Sequence, residues 1–388
     1  MSLTFDSARI PNPHLTEDHL AWRDALRRFV DKEIMPYAED WDEAGHIPIA
    51  LWPKAAEVGL LGAGYPEQYG GMETDSWHSW IINEELSRVG VGGLSASLMV
   101  HGIGLPPVIN WGTEAMKAEI APPVLRGESW ISLGITEPGG GSDVASLQTT
   151  AVRDGDHYIV NGSKTYITGG MRANYVSTAV RTGGDGATGV SMLLIPTDAE
   201  GFSRTALDKK MGWWASDTAT LYFDNLRVPV SNLIGQENQG FRVIMTNFNS
   251  ERMGMAAAME AYGRVCLEEA VNWARERQTF GKRLADHQVI RHKIAMMKQK
   301  LNATQAYIRI CYEAIEAGEA NAGDIALLKV QASEVMEFCA REAMQILGGV
   351  GYMRGNRVER IYREVRVNAI GGGSEEIMRD LASRQYGL

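Results

Sequence analysis

Apolar residues recur along the first third of the chain with the period of a helix. Behind Thr16, the residues Trp22, Leu26, Phe29 and Val30 stand at i, i+4, i+7 and i+8, which lays one apolar stripe along a helical cylinder. Thr16 is a capping residue, and Glu17 and Asp18 suit the positive end of a helix dipole. LWPKAAEVGL, WHSWIINEELSRV and TEAMKAEIAPPVL keep this texture, so residues 1–126 are expected to form a helical domain. From 127 to 234 the period changes. The turn dipeptides Asp154-Gly155 and Asn161-Gly162 flank the β-rich runs HYIV and KTYIT, and ANYVSTAV, GVSMLLIP and ATLYFDNLRVP follow, with Leu221 and Phe223 alternating. Strands this short and evenly punctuated predict a small barrel or sandwich. From 235 to the end the helical period returns in long segments near 238–278, 287–318 and 320–348. A helix of about 40 residues reaches roughly 60 Å, a length that packs in an antiparallel four-helix bundle. The fold class is α+β, in the order helical, β, helical.

The chain has 388 residues, 45% of them hydrophobic, which is enough for two to three domains. A net charge of −10 disfavours general affinity for nucleic acid or for an anionic membrane. No apolar run approaches the roughly 20 residues of a membrane span. The stretch MSLTFDSARIPNP lacks the basic and apolar regions of a signal peptide, so the expected location is the cytoplasm. Cys266, Cys311 and Cys339 have no metal-ligand spacing and read as buried thiols; no metal site is expected.

Two glycine-rich stretches stand out. GITEPGGGSD, residues 134–143, sets backbone N–H groups and the Ser142 hydroxyl where they could converge on an anion. It matches neither the phosphate loop ending in Gly-Lys-Ser/Thr nor the dinucleotide G-x-G-x-x-G. AIGGGSEEIMRD, residues 369–380, reads first as a helix start: Ser374 as N-cap, Glu375 and Glu376 in the first turn. That does not explain three glycines in a row.

GITEPGGGSD is followed, in order, by KTYITGG (164–170), RERQTFGKRLADHQ (275–288) and QILGGVGY (345–352). Together with the helical–β–helical plan, these make the chain resemble the acyl-CoA dehydrogenases over essentially its whole length. The first signature fits at every position of GITEPGGGSDVAS; the second departs at Gly355, where an acidic or amide residue is usual. The resemblance implies FAD. Ile135 and Thr136 would edge the flavin, Tyr166 beside Ile167 would cover its ring where the family mostly has tryptophan, and Thr168 would donate toward the N5–C4=O side. Gly141 and Ser142 would approach the pyrophosphate or the thioester end of the substrate. Arg277, Phe280, Gln288, Gln345 and Gly349 resemble residues that reach the FAD of a neighbouring subunit, Arg277 with a planar, permanently charged fork suited to phosphate. Ser374 and Glu376, at the family's last helix start, complete the cofactor set.

In many acyl-CoA dehydrogenases a glutamate at the place of Gly372 removes the α-proton, with a threonine where Ser374 stands. One subset, including long-chain and isovaleryl-CoA dehydrogenases, carries the base on the first helix of the C-terminal domain, in a Glu-Arg motif. TNFNSERMGMAAAME has Glu251 and Arg252 at the matching place. Glu251 shares a helix face with Ile244, Asn247, Phe248, Gly254, Met255 and Ala258, and no basic residue lies three or four positions away in sequence. A carboxylate on such a face is costly unless it is partnered or used, and desolvation raises its pKa toward that of a working base. The resemblance then implies α,β-dehydrogenation of an acyl-CoA thioester to a trans-2-enoyl-CoA, with Glu251 as base. The N–H of Gly372 would polarise the carbonyl, and Asn249 and Arg252 would contact substrate near the thioester. It further implies transfer of electrons to an electron-transfer flavoprotein, and a homotetramer. LSASLMVHGIGLPPV holds no lysine or arginine to pair a distal carboxylate, so mono-acyl substrates are expected. The alternatives are an acyl-CoA oxidase or another flavin oxidase or monooxygenase on the same scaffold, and an inactive scaffold or binding paralogue.

Overall fold

A computed structural model describes residues 3–388; the first two residues of the N-terminal stretch lie outside the described residues. The helices before the sheet are α1 (Glu17–Phe29), α2 (Ala38–Ala44), α3 (Leu51–Glu57), α4 (Ser76–Ser87), α5 (Gly92–Leu98), α6 (His101–Gly104), α7 (Pro106–Trp111) and α8 (Glu114–Leu125). Thr16 caps α1 as its sequence predicts. Its hydroxyl accepts from the His19 N–H at 3.5 Å and the His19 ring takes the Thr16 N–H at 3.0 Å, so histidine fills the reciprocal place usually held by glutamate. Leu26, Phe29 and Val30 are buried, as the stripe requires.

The strands β1 (Ile131–Gly134), β2 (Thr150–Asp154), β3 (His157–Thr168), β4 (Tyr175–Arg181), β5 (Val190–Pro196), β6 (Phe202–Ala206), β7 (Thr218–Pro229) and β8 (Leu233–Ile234) form one mixed sheet. Its order is β6-β7-β3-β2-β4-β5-β8, with β1 parallel to β4. The two halves of this sheet join where Thr150 of β2 pairs with Arg181 of β4. Val160, Ile167 and Leu221 from one half and Val176, Leu193 and Ile195 from the other fill a single core, so the halves face each other as a sandwich. Asp154-Gly155 does open the β2–β3 connection, with Gly155 at φ +59°. Asn161-Gly162 is not a turn. β3 runs straight through it, and the pairing with β7 slips there instead, with Gly162 at φ +143° and a would-be Cβ 2.8 Å from Thr149 Cα.

Beyond the sheet come α9 (Gly240–Glu276), the hairpin β9 (Gln278–Thr279) and β10 (Lys282–Arg283), α10 (Gln288–Glu316), α11 (Ala322–Leu347), α12 (Arg357–Ile370) and α13 (Glu375–Gln385). Three long helices begin and end within a few residues of the limits read from the sequence. Met259, Val265, Met297, Leu301, Leu328 and Met336 from these three fill one large core, which is the bundle. Cys266, Cys311 and Cys339 are buried free thiols. Two compact units share the chain: Met1–Asp40, Asp75–Gly92 and Arg252–Leu388 form one, Trp41–Thr74 and Gly93–Glu251 the other. No single helix among the described residues is long and apolar enough to cross a membrane.

Candidate active site

In the second unit the 134–143 loop leaves the end of β1 and is tied to β3 from below. Lys164, wholly buried, donates to the Ile135 carbonyl at 3.0 Å and to Glu137 Oε1 at 2.7 Å. Glu137 also accepts the backbone N–H groups of Gln148 (2.6 Å) and Thr149 (2.8 Å), and the Thr165 N–H donates to the Thr136 carbonyl at 2.8 Å. Burial pulls the Lys164 ammonium down to about 8, and Glu137 works against that pull. The two carbonyls of Ile135 and Thr136 are thus bound inward. The Ile135 and Ile167 side chains are core residues, so these positions present backbone, not side chain. Gly139, Gly140, Gly141 and Ser142 are exposed. A Cβ on Gly139 or Gly140 would meet nothing, while one on Gly141 would come within 3.2 Å of Thr136 Cγ2.

Two residues beyond Lys164, the β3–β7 register shifts again between Lys164 and Ile167. The bulge holds Tyr166 at φ +59°, a left-handed backbone that a bulky side chain resists, and leaves its ring 71% exposed. Thr168, at the strand's end, is half-buried, and its carbonyl accepts from Ser132 Oγ at 2.8 Å. A strained, exposed aromatic ring thus stands on the same strand end as a threonine hydroxyl.

The first three turns of α9 belong to the same unit. Asn247, buried, donates from Nδ2 to the Ile103 carbonyl at 3.1 Å. Glu251 lies one helical turn further on the same face and is half-buried, as are Phe248 and Asn249. On the α5–α6 side, Ser95, Met99 and Ile103 are half-buried at i, i+4 and i+8. His101 in this stretch is buried, its Nε2 3.0 Å from the Leu61 carbonyl, and burial pushes its pKa down to about 4. It is neutral at physiological pH.

In the first unit, the glycine triplet forms the turn between α12 and α13. Gly372 and Gly373 adopt φ +66° and +107°. Gly371 N–H closes the helix end on the Val367 carbonyl at 2.7 Å. Arg252, buried, donates from Nε to the Gly372 carbonyl at 3.1 Å. Lys329 of α11, also buried, donates to the carbonyls of Ala369 (2.9 Å) and Gly373 (2.8 Å). Ser374 takes the N-cap place, but its side chain makes no capping hydrogen bond. The expected serine cap is corrected to a turn held by cations. Backbone and Ser374 hydrogen bonds keep the exposed Glu376 carboxyl below its ordinary pKa.

The remaining expected residues of this unit are on its surface. Arg277, Gln288, Gln345 and Gly349 are exposed, and Phe280 is 96% exposed at φ +51° in a two-residue turn with Gly281 at φ +77°. Tyr352 and Met353 add further exposed apolar surface. Gly355, the departure noted above, has φ +95°, and a Cβ there would press on Glu39 Oε1 at 2.7 Å.

Glu137, Lys164, Asn247 and Lys329 were not singled out by the sequence. Lys329 did leave a trace: within IALLKVQA it is the one charge on a run of apolar helix. Lys164 stands in a strand whose neighbours alternate, on the inward parity.

Three family models match in succession: acyl-CoA dehydrogenase N-terminal domain over residues 16–128, middle domain over 132–226 and C-terminal domain over 238–387. An acyl-CoA dehydrogenase of Alternaria alternata is 38% identical, covering 97% of this chain and 93% of its own. The mitochondrial long-chain specific acyl-CoA dehydrogenase of Rattus norvegicus is 34% identical over 95% of this chain and 86% of its own. The crystal structure of a probable acyl-CoA dehydrogenase from Mycobacterium abscessus superposes with a TM-score of 0.94 at 44% identity, covering 96% of this chain and 99% of that one.

Proposed function

The chain belongs to the acyl-CoA dehydrogenase family, and from that premise we propose how its own residues divide the work. It is an FAD-dependent enzyme that dehydrogenates acyl-CoA thioesters between the α and β carbons. The residues present fit the cofactor: a half-buried Thr136 at the start of the loop, a glycine run without side chains, and an exposed aromatic ring beside Thr168. Thr136, Tyr166, Ile167 and Thr168 would hold and cover the ring system, and Gly141 and Ser142 the diphosphate side. FAD, when bound, supplies the acceptor for the β-hydrogen and its electron pair.

Glu251 takes the α-proton. The C–H bond breaks, its electron pair moves into the thioester carbonyl, and the N–H of Gly372 donates to the oxygen that gains the charge. Asn249 and Arg252 serve the thioester end. What carries the assignment of Glu251 is the Asn247–Ile103 bond, which turns this face of α9 toward the α5–α6 helices. Their half-buried Ser95, Met99 and Ile103 offer an acyl chain an apolar course. With His101 neutral and turned to Leu61, that course has no cation for a distal carboxylate, which supports mono-acyl substrates over dicarboxylic ones. Exposed Phe280, Tyr352 and Met353 support a homotetramer in which Arg277, Gln288, Gln345 and Gly349 reach a neighbour's FAD. The electrons pass to an electron-transfer flavoprotein.

The test is Glu251→Gln, followed by anaerobic stopped-flow bleaching of the flavin with a panel of straight and branched acyl-CoAs. FAD content should match wild type, because no proposed cofactor contact involves that side chain. Reduction should fall by about 10²–10⁴-fold. Near wild-type reduction by the variant would move the base to another residue.

A further inference from the structure

The turn that replaces the usual catalytic glutamate is held from behind by two buried cations. Lys329 and Arg252 between them bind the carbonyls of Ala369, Gly372 and Gly373, which are three of the last five before Ser374. Among the backbone hydrogen bonds of the described residues, none is made by the Gly372 N–H. A buried ammonium costs several kcal/mol unless its protons are well used, and helix C-terminal carbonyls are suitable acceptors. The glycines that end α12, Gly371 at the cap and Gly372 in the left-handed region after it, would close the helix without any buried cation. Peptide planes are rigid, so fixing the carbonyls on either side of a two-glycine turn removes most of the freedom that glycine would otherwise keep.

We propose that Lys329 is a positioning residue: by holding the Ala369 and Gly373 carbonyls it sets the Gly372 N–H for the thioester oxygen. This rests on Gly372 as the carbonyl donor in the reading above. The lysine touches neither substrate nor flavin; it acts through the turn. In the family's commoner arrangement a glutamate side chain stands at this place. Here the place holds glycine at φ +66°, and the orientation of its peptide depends on the bonds behind it.

The experiment uses a 3-thia-acyl-CoA on the FAD-loaded enzyme. Its α-proton can be removed, but sulfur at the β-position leaves no hydrogen there to transfer, so the bound enolate is read as long-wavelength charge-transfer absorbance against pH. Two variants are compared with wild type: Lys329→Met, which drops charge and donors, and Lys329→Gln, which keeps N–H donors and most of the reach. Ser333→Ala is the control. It removes the 2.9 Å contacts of the Ser333 hydroxyl with Glu375 and with the Val330 carbonyl of its own helix, and leaves the Lys329 bonds to Ala369 and Gly373 alone. In Lys329→Met the pH at half-development should rise by about one unit, with a smaller rise in Lys329→Gln. Ser333→Ala should lower the melting temperature and leave the midpoint in place. A wild-type midpoint in both Lys329 variants overturns the proposal, whatever their melting temperatures. So does failure of both variants to fold with FAD, which would assign Lys329 to folding alone. Absence of the band in the wild type would instead overturn the dehydrogenase reading, and this proposal with it.

Discussion

In the proposed reading Gly372 stands where the family commonly has its catalytic glutamate, and its backbone tells how far that change can be reversed. At φ +66° an L-residue is strained by about 1–2 kcal/mol, so a glutamate put there arrives in an unfavourable conformation. Glu251→Gly combined with Gly372→Glu should therefore restore only part of the activity lost in Glu251→Gly. A misplacement near 1 Å already costs about 10²-fold. Full recovery, read by the same anaerobic bleaching, would show that the turn relaxes freely and that the cations behind it do not fix it. At this scale the sequence was informative about side chains with one reading and silent about those with two. Glu251 draws notice in the sequence because a carboxylate on a small, apolar helix face has few innocent uses, and its role as base is a proposal. Lys164 and Lys329 were not, since a lysine near apolar residues usually extends its ammonium to solvent. Only the fold shows that these two end on buried carbonyls.

Among the elements, the long helices α9, α10 and α11 were the most legible, because a 3.6-residue period sustained over many turns has no rival explanation. Gly162 was misread for the opposite reason. Asn-Gly is a strong turn signal locally, but here glycine serves a close approach to Thr149, a long-range cause that no local pattern contains. The β9–β10 hairpin shows both sides. RQTFGKR supplies the turn, yet glycine occupies only one of the two left-handed positions and phenylalanine the other. Such strain in an exposed aromatic fits the proposed contact with a partner subunit. Phe280→Gly should thus act with opposite signs on two measurements. The isolated fold should unfold no lower than wild type, because the strain is relieved. FAD retained after gel filtration should fall, together with the oligomer mass by light scattering, and Arg277→Ala should lower FAD retention in the same way. Full FAD occupancy on a stable monomer of either variant would separate the hairpin from both cofactor and assembly.

The whole molecule carries an ionic cluster in the core of its first unit that the catalytic reading does not use. Arg264, wholly buried, donates from Nε to Glu260 Oε2 at 3.0 Å and also binds Glu84, which Arg9 (3.2 Å) and Arg23 (3.4 Å) support as well. Glu84 has three guanidinium partners and stays below its ordinary pKa against its burial. Glu260 has one, and its Oε1 meets no hydrogen-bond partner among the described residues. Burial, with Glu84 adding to it and Arg264 opposing, raises the Glu260 carboxyl from 4.5 to about 7. A carboxyl with a raised folded pKa binds its proton more tightly in the native state. Its contribution to stability is therefore fully present below about 4.5 and is lost as pH rises through about 7. Glu260→Gln imitates the protonated form at every pH. The variant should match wild type near pH 5 and melt several degrees higher at pH 8, on the order of 3 kcal/mol by the size of the shift. Glu260 lies nine residues beyond Glu251 on α9, about 13 Å along the axis, so the pH dependence of flavin reduction should not follow. Calorimetry at the two pH values decides it. A variant that melts below wild type at pH 8 would mean that the bond of the ionised Glu260 to Arg264 outweighs the cost of burying a second carboxylate in the bundle.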